Sequence, residues 1–181
     1  MRPLFSVFNV VALLLLALCA LAYKLVQLPP AAPTPPKLQL AQTSAVPVAL
    51  YFGDSQVRTL IRQTRSVQVV QKTPVTMAQS ALAAWAAGPA GGGAVAAVPK
   101  GSAVPTVWIH GEHFVVDLPA SYSSLNYGAS GERMLLCSLV RTLLEQRGKD
   151  VMFLVNAKNV PTLLGHADLH APYAREDCAN E

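Results

Sequence analysis

Two pairs of histidines have a spacing that could bind a metal ion. His110 and His113 are separated by Gly-Glu, and two imidazoles one turn apart on a helix can form half of a zinc site. Glycine between two alternating apolar stretches predicts a hairpin turn here, so no helix would hold these rings together. His166 and His170 have the i, i+4 spacing, but the stretch leading to Pro172 shows no helical pattern. Because a structural zinc site uses four ligands, we predict no metal site at either pair.

Cys137 and Asp117 are the remaining candidates for catalysis. Reactive thiolates lie near helix N-termini or cationic groups, whereas Cys137 lies two turns into a predicted helix among apolar residues. Asp117 is the lone carboxylate of its predicted strand, and we interpret it as a hydrogen bonder at a turn or sheet edge. No nucleophile–base pair is evident. The sequence therefore predicts a protein that is not an enzyme, with an envelope hydrolase as the weaker alternative.

The stretch "WAAGPAGGGAVAAVPKGSAV" at 85–104 has the composition of a phosphate-binding loop but not its order. A P-loop needs Gly-x4-Gly-Lys-Ser/Thr between a strand and a helix, so that backbone N–H groups face the phosphates. Here Lys100 precedes Gly101, and no helical pattern follows Ser102. We interpret these glycines as the end of a helix and the start of a loop. No cofactor is predicted.

The elements that must position these residues begin with strands. Apolar alternation and β-branched residues predict strands over 46–52, 57–61 and 66–70. Thr73-Pro74 is typical of a helix N-terminus, and the predicted helix over 74–87 ends before Gly88-Pro89. Its expected buried stripe consists of Val75, Ala78, Leu82 and Trp85.

The second half of the chain predicts a hairpin, a helix and a buried strand. The hairpin covers 105–118 with its turn at Gly111. The helix covers about 131–147, with Ser130 as N-cap, Glu132 in the first turn and Gly148 as C-cap. Its expected buried stripe is Leu136, Leu139, Val140 and Leu143, and the strand that follows covers 150–156. This order predicts an α+β fold, with two helices packed on one face of a mixed β-sheet.

The N-terminal residues predict a membrane segment. Residues 4–22 carry no charge, and a bilayer-spanning helix needs roughly 17–25 apolar residues. The ending "ALA" at 20–22 also fits a signal-peptidase site, and Cys19 could be the acylated cysteine of a lipoprotein, although Leu18 departs from that pattern. Retained anchor, cleaved signal and lipoprotein all place the remainder outside the cytoplasm. The proline-rich run at 29–36 predicts a semi-rigid spacer.

The charge balance excludes a nucleic-acid surface. The whole chain has a formal net charge of +4. Beyond Pro36 there are 12 Lys and Arg against 10 Asp and Glu, a difference of +2. Arg58, Arg62, Arg65 and Lys72 cluster in sequence, either as a modest anion-facing patch or as an ordinary solvated face.

Eight short segments follow one another beyond the proline-rich run: "VALYFGD" (48–54), "TRSV" (64–67), "ALAAWAAGP" (81–89), "VPKGS" (98–102), "VVDLP" (115–119), "RTLLEQRG" (141–148), "VMFLVNAK" (151–158) and "GHADLHAPY" (165–173). In this order they resemble the motifs of the GerMN domain family. The sequence departs from the family at Pro119, where serine is usual, and in the glycine-rich insertion at 90–94. The resemblance implies a βαββα-type layer like the ring-building modules of bacterial envelope machines. It also implies export, commonly as a lipoprotein or tethered protein, and no established catalytic residues.

These observations divide the chain into four segments. They are an anchor or signal peptide at 1–24, a proline-rich linker at 25–45, a GerMN-like domain at 46–173 and a C-terminal tail at 174–181. The expected location is the cell membrane, as a single-pass protein with its domain outside the cytoplasm. The alternative is a secreted or periplasmic protein cleaved near Ala22.

The expected function is a protein-binding or assembly module that meets envelope proteins or itself, and no nucleic acid. The alternative is a small-ligand or glycan-binding domain. Sheet edges and the aromatics Trp108, Tyr122 and Tyr127 would serve either role. In an exported domain Cys137 and Cys178 can form a disulfide, or both can remain free thiols.

Overall fold

The chain is described by a computed structural model that covers residues 6–27 and 43–179. It has two compact units, one ending at Leu40 and one beginning at Ala41. The described part of the first unit is helix α1, Val7–Val26. Its 20 residues span about 30 Å, the thickness of a bilayer's hydrocarbon core. The proline-rich run at 29–36 lies outside the described residues.

Helix α1 is long and apolar enough to cross a membrane, and no other described helix meets that criterion. None of its residues is buried against protein. The helix continues past Ala22, where the sequence predicted a cleavage site. Cys19 is an exposed free thiol.

The second unit contains strands and helices in the order β1, β2, α2, β3, β4, β5, α3, β6, β7. Short 3-10 helices follow β5 and β7, at Ala120–Ser124 and Glu176–Cys178. The bounds are β1 Ser44–Asp54, β2 Leu60–Val69, α2 Pro74–Ala86, β3 Ala94–Val95, β4 Thr106–His110, β5 His113–Leu118, α3 Ala129–Leu144, β6 Asp150–Val155 and β7 Tyr173–Ala174.

The α+β class is confirmed, but the single predicted sheet is two sheets. One is antiparallel with the order β2-β1-β3, and the other has the order β4-β5-β6-β7 with a parallel β5–β6 pair. There are two sheets because helix α3 covers most of one edge of β1. β3 pairs only with Gly53 and Asp54, while the backbone N–H of Tyr51 donates to the Thr142 hydroxyl of α3 at 3.0 Å. Because α3 occupies that edge, no strand of the second sheet can continue the ladder.

Helices α2 and α3 pack with both sheets around one core. The Trp85 indole N–H of α2 donates to the Ser138 hydroxyl of α3 at 3.0 Å, and both residues are buried. The predicted core residue Leu139 is completely buried. The prediction that Val75 is buried is wrong. Val75 is 43% exposed because it lies in the first turn of α2, beyond the end of the core. Thr73 caps this helix as predicted, by accepting from the Thr76 N–H.

Both predicted ends of α3 are corrected. The N-cap is Gly128 rather than Ser130, and the helix ends at Leu144 rather than at 147. The predicted C-cap Gly148 does not have a left-handed backbone. Arg147, the residue before it, has that conformation, with φ 71°. A Cβ on Gly148 would lie 2.1 Å from the Phe114 ring. The glycine therefore serves close packing rather than a helix cap.

Three further boundaries differ from the sequence-based segments. The two short strands predicted at 57–61 and 66–70 form one strand, β2, paired with β1 along its whole length. β1 begins at Ser44, two residues before the predicted domain start at 46. The residues assigned to a tail from 174 contribute to β7 and to a 3-10 helix.

Candidate functional site

Three of the four candidate histidines make polar contacts within the domain. His113 Nδ1 lies 2.7 Å from Asp150 Oδ1, and His170 Nδ1 lies 2.9 Å from Asp168 Oδ1. The backbone N–H of His166 donates to Glu132. Within residues 6–27 and 43–179, no group of three or more His, Cys, Asp or Glu is arranged to hold a metal ion.

Asp117 is placed as a turn-stabilising residue. Its Oδ1 accepts the Ala157 N–H at 2.8 Å. Asn156 and Ala157 both have left-handed backbones, with φ 50° and 60°. This bond explains how a tight turn after β6 is held without glycine.

The three aromatic side chains named as candidate contacts differ in exposure. Trp108 is 49% exposed on β4, and Tyr127 is half-buried. The expectation that Tyr122 is available for binding is wrong. Tyr122 is buried, and its hydroxyl donates to the Ala103 carbonyl at 2.9 Å. Burial raises the pKa of Tyr122 to about 12. Tyr122 is therefore a core residue and not a binding residue.

The two cysteines of the domain are brought together. Cys137 of α3 and Cys178 of the C-terminal 3-10 helix form a disulfide bond across 41 residues. Both side chains are buried, and the bond ties the C-terminal segment to the middle of α3. Neither sulfur is a free nucleophile in this structure.

One side of the domain carries a group of arginines that we call the arginine surface. It is formed by the outer side of the β1–β2 hairpin, the exposed stripe of α3 and the C-terminal segment. Its members are Arg58, Arg62, Arg133, Arg141 and Arg175.

Backbone carbonyls hold three of these arginines in place. Arg133 donates to the Asp177 carbonyl at 3.2 Å, and Arg141 donates to the Cys178 carbonyl at 3.3 Å. Arg175 donates to the Leu144 carbonyl at 2.7 Å. These contacts lie between α3 and the C-terminal segment. The Arg133 contact is exposed to solvent, whereas Arg141 is half-buried and its Nε has no hydrogen-bond partner among the described residues.

Glu145 is the carboxylate that balances part of this charge. Its oxygens lie 3.9 Å from Arg62 Nη2 and 3.4 Å from Arg175 Nη1. The Tyr51 hydroxyl donates to it at 2.8 Å, and the Arg141 guanidinium lies 5.1 Å from the centre of the Tyr51 ring. Burial by itself would raise the pKa of Glu145, but the Tyr51 hydroxyl, Arg175 and Arg62 together lower that pKa below its ordinary 4.5.

An open cleft of about 260 Å³ lies at the other end of the arginine surface. Arg58 and Arg133 line it, and the Cys137–Cys178 disulfide forms one of its sides. Within residues 6–27 and 43–179 neither guanidinium has a carboxylate partner. The cleft thus offers two guanidiniums that form no ion pair with the described residues, although Arg133 also borders Asp168, Glu176 and Asp177 on its side away from the cleft.

An apolar groove of about 160 Å³ shares Val57 and Met134 with this cleft. Its lining residues are Gly53, Asp54, Val57, Val95, Ala96, Ala97, Tyr127, Gly131, Met134 and Leu135. Two glycines shape it by close approach. A Cβ on Gly53 would lie 2.9 Å from Met134 Cγ, and a Cβ on Gly131 would lie 2.9 Å from Tyr127 Cβ.

The β1–β2 turn presents Val57 at the rim shared by cleft and groove. Val57 is 40% exposed and has φ 56°, a conformation that a β-branched residue rarely adopts. Asp54 holds the turn, since its carboxylate accepts the Arg58 N–H at 2.8 Å and the Thr59 hydroxyl at 3.2 Å. The Arg58 bond is the main reason why the pKa of Asp54 is lowered. This strained apolar residue is fixed by the turn and does not move freely.

Glu132, which the sequence placed in the first turn of α3, has a role that the sequence did not indicate. It is completely buried, and its two carboxylate oxygens accept the N–H groups of Leu163, Leu164 and His166 at 3.2, 2.8 and 3.0 Å. The loop after β6 therefore folds around this one carboxylate. Among residues 43–179, Glu132 is the acceptor that these three N–H groups use.

The cluster seen in the sequence, Arg58, Arg62, Arg65 and Lys72, overlaps the arginine surface only at Arg58 and Arg62. Arg65 points to the opposite side of the hairpin, 5.9 Å from the Phe52 ring centre, with one nitrogen donating to the Ala84 carbonyl. The signal that could have found the right group is the i, i+4 repeat Arg133–Cys137–Arg141–Glu145 on α3. Because successive side chains of a strand point to opposite faces, Arg62 and Arg65, three residues apart on β2, lie on opposite faces of the sheet.

The comparisons with known proteins agree with this fold. The sequence profile of the family named Germane, described as "Sporulation and spore germination", matches residues 49–161. No curated protein matches the chain in a sequence comparison.

Three solved structures resemble the chain. A Clostridium perfringens protein assigned as a lipoprotein is 21% identical, with a TM-score of 0.53 over 74% of this chain and 90% of that protein. The first GerMN domain of the sporulation protein GerM from Bacillus subtilis is 19% identical, with a TM-score of 0.55 over 72% of this chain and 98% of that domain. The tandem GerMN domains of the same protein are 21% identical, with a TM-score of 0.50 over 82% of this chain and 50% of the tandem. At these identities the likeness shows a shared fold.

Proposed function

Because this chain belongs to the Germane family of sporulation and spore germination domains, we propose that it is a non-enzymatic, membrane-tethered module that binds protein partners in the bacterial envelope. The N-terminal helix tethers the chain and the domain acts outside the cytoplasm. A spacer between anchor and domain belongs to the same proposal.

The observation that carries this proposal is the juxtaposition of the arginine surface and the apolar groove. Protein interfaces favour arginine and apolar contacts over lysine-rich solvated surface. Here the two kinds of contact meet at Val57 and Met134. A disulfide, a helix and a hydrogen-bonded turn hold them, so little conformational entropy is lost when a partner binds.

The membrane helix and the disulfide support the location. Helix α1 has the length and composition of a bilayer span, and the Cys137–Cys178 bond is of the kind that persists in oxidising compartments outside the cytoplasm. The Clostridium perfringens protein of the same fold is assigned as a lipoprotein, which is consistent with tethering as a use of this fold.

The second candidate is binding of a small ligand or glycan. The open cleft of about 260 Å³ favours it, because two uncompensated guanidiniums could hold an anionic group. A ligand of this kind would need the arginines and not the apolar groove. That difference separates the two candidates experimentally.

Crosslinking in the native envelope tests the proposal. A photo-reactive amino acid is placed singly at Val57, Val70 and Trp108, three positions that are 40, 55 and 49% exposed. Discrete protein adducts from at least one position are expected, with self-association checked by ultracentrifugation of the full chain in detergent. A monomer with no protein adduct at any of the three positions would favour the ligand-binding alternative.

A further inference from the structure

The arginines of the cleft differ from the other members of the arginine surface in their partners. Arg62 and Arg175 lie beside Glu145, and the Arg141 guanidinium lies over an aromatic ring. Arg58 and Arg133 are exposed, and no carboxylate within residues 6–27 and 43–179 pairs with them. The domain therefore forms ion pairs at the Glu145 end of the surface and none among the described residues at the cleft, where Arg133 has acidic neighbours only on its other side, at Asp168, Glu176 and Asp177.

Both open guanidiniums are carried by backbone that is held in place. The N–H of Arg58 donates to Asp54, which organises the β1–β2 turn. Arg133 lies in α3, and its Nη2 donates to the Asp177 carbonyl. The Arg133 guanidinium is therefore held by a contact of its own, whereas the Arg58 guanidinium is free to turn toward a carboxylate that enters the cleft. Hydrogen bonds between a guanidinium and a carboxylate are charge-assisted and short.

The apolar groove adds a second requirement for the ligand. Its volume of about 160 Å³ is similar to that of a protein cavity of about 150 Å³ that holds one benzene molecule. That space fits one branched or aromatic side chain. Because Val57 and Met134 line both cavities, such a side chain would lie next to the group bound by the arginines.

We propose that cleft and groove form one site for an extended segment of a partner protein in which an acidic residue lies next to a large apolar residue. The acidic group pairs with Arg58 and Arg133, and the apolar side chain enters the groove beside Val57 and Met134. A phosphate polymer or a neutral glycan matches only one half of this surface. The inference rests on the proposed protein-binding function and names the chemistry of the partner.

Peptide binding to the full-length chain in detergent tests this site. The probes are fluorescein-labelled peptides of roughly 12 residues. One set carries Leu or Phe beside two acidic residues, a second replaces the acids by Lys, and a third replaces the apolar residue by Ser. Fluorescence anisotropy is expected to show binding of the first set, and weaker binding of both other sets by about tenfold or more.

Two variants locate the binding. Arg58→Glu with Arg133→Glu should abolish binding of the acidic–apolar peptides. The control, Lys72→Glu with Lys100→Glu, changes the net charge equally at exposed lysines outside the cleft and groove, and should bind as the wild type does.

Val57→Asn tests the groove without a loss of stability. Asparagine tolerates the left-handed backbone better than valine does, so the variant should be at least as stable as the wild type. It nevertheless removes the apolar rim, and we expect binding about threefold or more weaker. Unchanged peptide affinity in this variant would contradict the groove.

Other results would overturn the inference in distinguishable ways. Equal binding of the acidic–apolar and Ser-substituted peptides would indicate a simple anion site. Equal losses in the Arg58/Arg133 and Lys72/Lys100 variants would indicate non-specific charge. If crosslinking at Trp108 or Val70 captures a protein while none of the acidic–apolar peptides binds, protein binding stands and this site is wrong.

Discussion

Glu132 and Arg133 are adjacent in sequence, yet they lie in opposite environments. Glu132 is completely buried, and three backbone N–H groups of the loop after β6 donate to it. Arg133 is exposed at an open cleft and has one carbonyl contact, 3.2 Å from Asp177 O. One residue step on a helix turns the side chain by about 100°, which separates a closed polar site from an open one.

The difference shows how a single helix can organise both the fold and a binding surface. We call the Glu132 side of α3 the closed side and the Arg133 side the open side. On the closed side the carboxylate has the hydrogen bonds that a buried charge needs, and removing the carboxylate leaves unsatisfied donors. On the open side the charge is solvated, so the folded domain gains little from it. Changes on the closed side should therefore alter stability, and changes on the open side should alter binding.

The largest effect is expected at the closed side. Glu132→Ala should lower the free energy of unfolding by about 4 kcal/mol, since three N–H groups lose their acceptor. Urea denaturation measures the change. Glu132→Gln, which keeps one acceptor oxygen, should lose about half as much. A loss below about 1 kcal/mol in the alanine variant would remove the distinction between the two sides.

The disulfide lies on the border between the two sides. Replacing Cys137 and Cys178 together by serine should lower the free energy of unfolding by about 3 kcal/mol, because the bond closes a loop of 41 residues in the unfolded chain. Thermal melts with and without reductant measure this in the wild type. Free thiols at both positions in alkylated, non-reduced protein would show that the bond does not form in solution.

A smaller, pH-dependent effect is expected at Glu145. The pKa of this carboxyl is lowered in the folded state, so its contribution to stability is present above pH 4.5 and is lost as the pH falls through the lowered pKa. Because the side chain is 26% exposed, we expect about 1 kcal/mol or less. Denaturation of the wild type and Glu145→Gln between pH 7 and pH 3 should show the full difference at pH 7 and a smaller difference as the pH falls below 4.5.

The smallest effect on stability is expected at the open cleft. Arg58→Glu with Arg133→Glu should change the free energy of unfolding by no more than about 0.5 kcal/mol for each residue, as for other exposed substitutions. The same variant is the one expected to lose peptide binding. A loss of stability comparable to that of Glu132→Ala would mean that these arginines support the fold rather than a partner.

Much of the architecture could be predicted because local patterns control it. Thr73-Pro74 starts α2 as expected, and alternation around Gly111 produces the β4–β5 hairpin. Helix ends were less accurate, because the N-cap Gly128 has no side chain that marks it. The division into two sheets was also missed, since it depends on a contact between Tyr51 and Thr142, which are 91 residues apart.

The candidate site could be predicted only in part. The sequence marked Cys137 and Cys178 as a possible pair and Arg58 and Arg62 as part of a cluster. It also included Arg65, which strand alternation directs to the other side of the sheet. Arg133 was not included, because its distance from Arg58 in the sequence hides their common cleft.

By itself the sequence determined the apolar N-terminal segment, the α+β class and the positions of most strands and helices. These depend on composition and on periodicities of two and about 3.6 residues, which operate over short distances. Only the tertiary structure decided that Glu132 is enclosed and that Arg133 faces an open cleft. Their environments are set by loops, strands and a disulfide contributed by distant segments, and no local pattern contains that information.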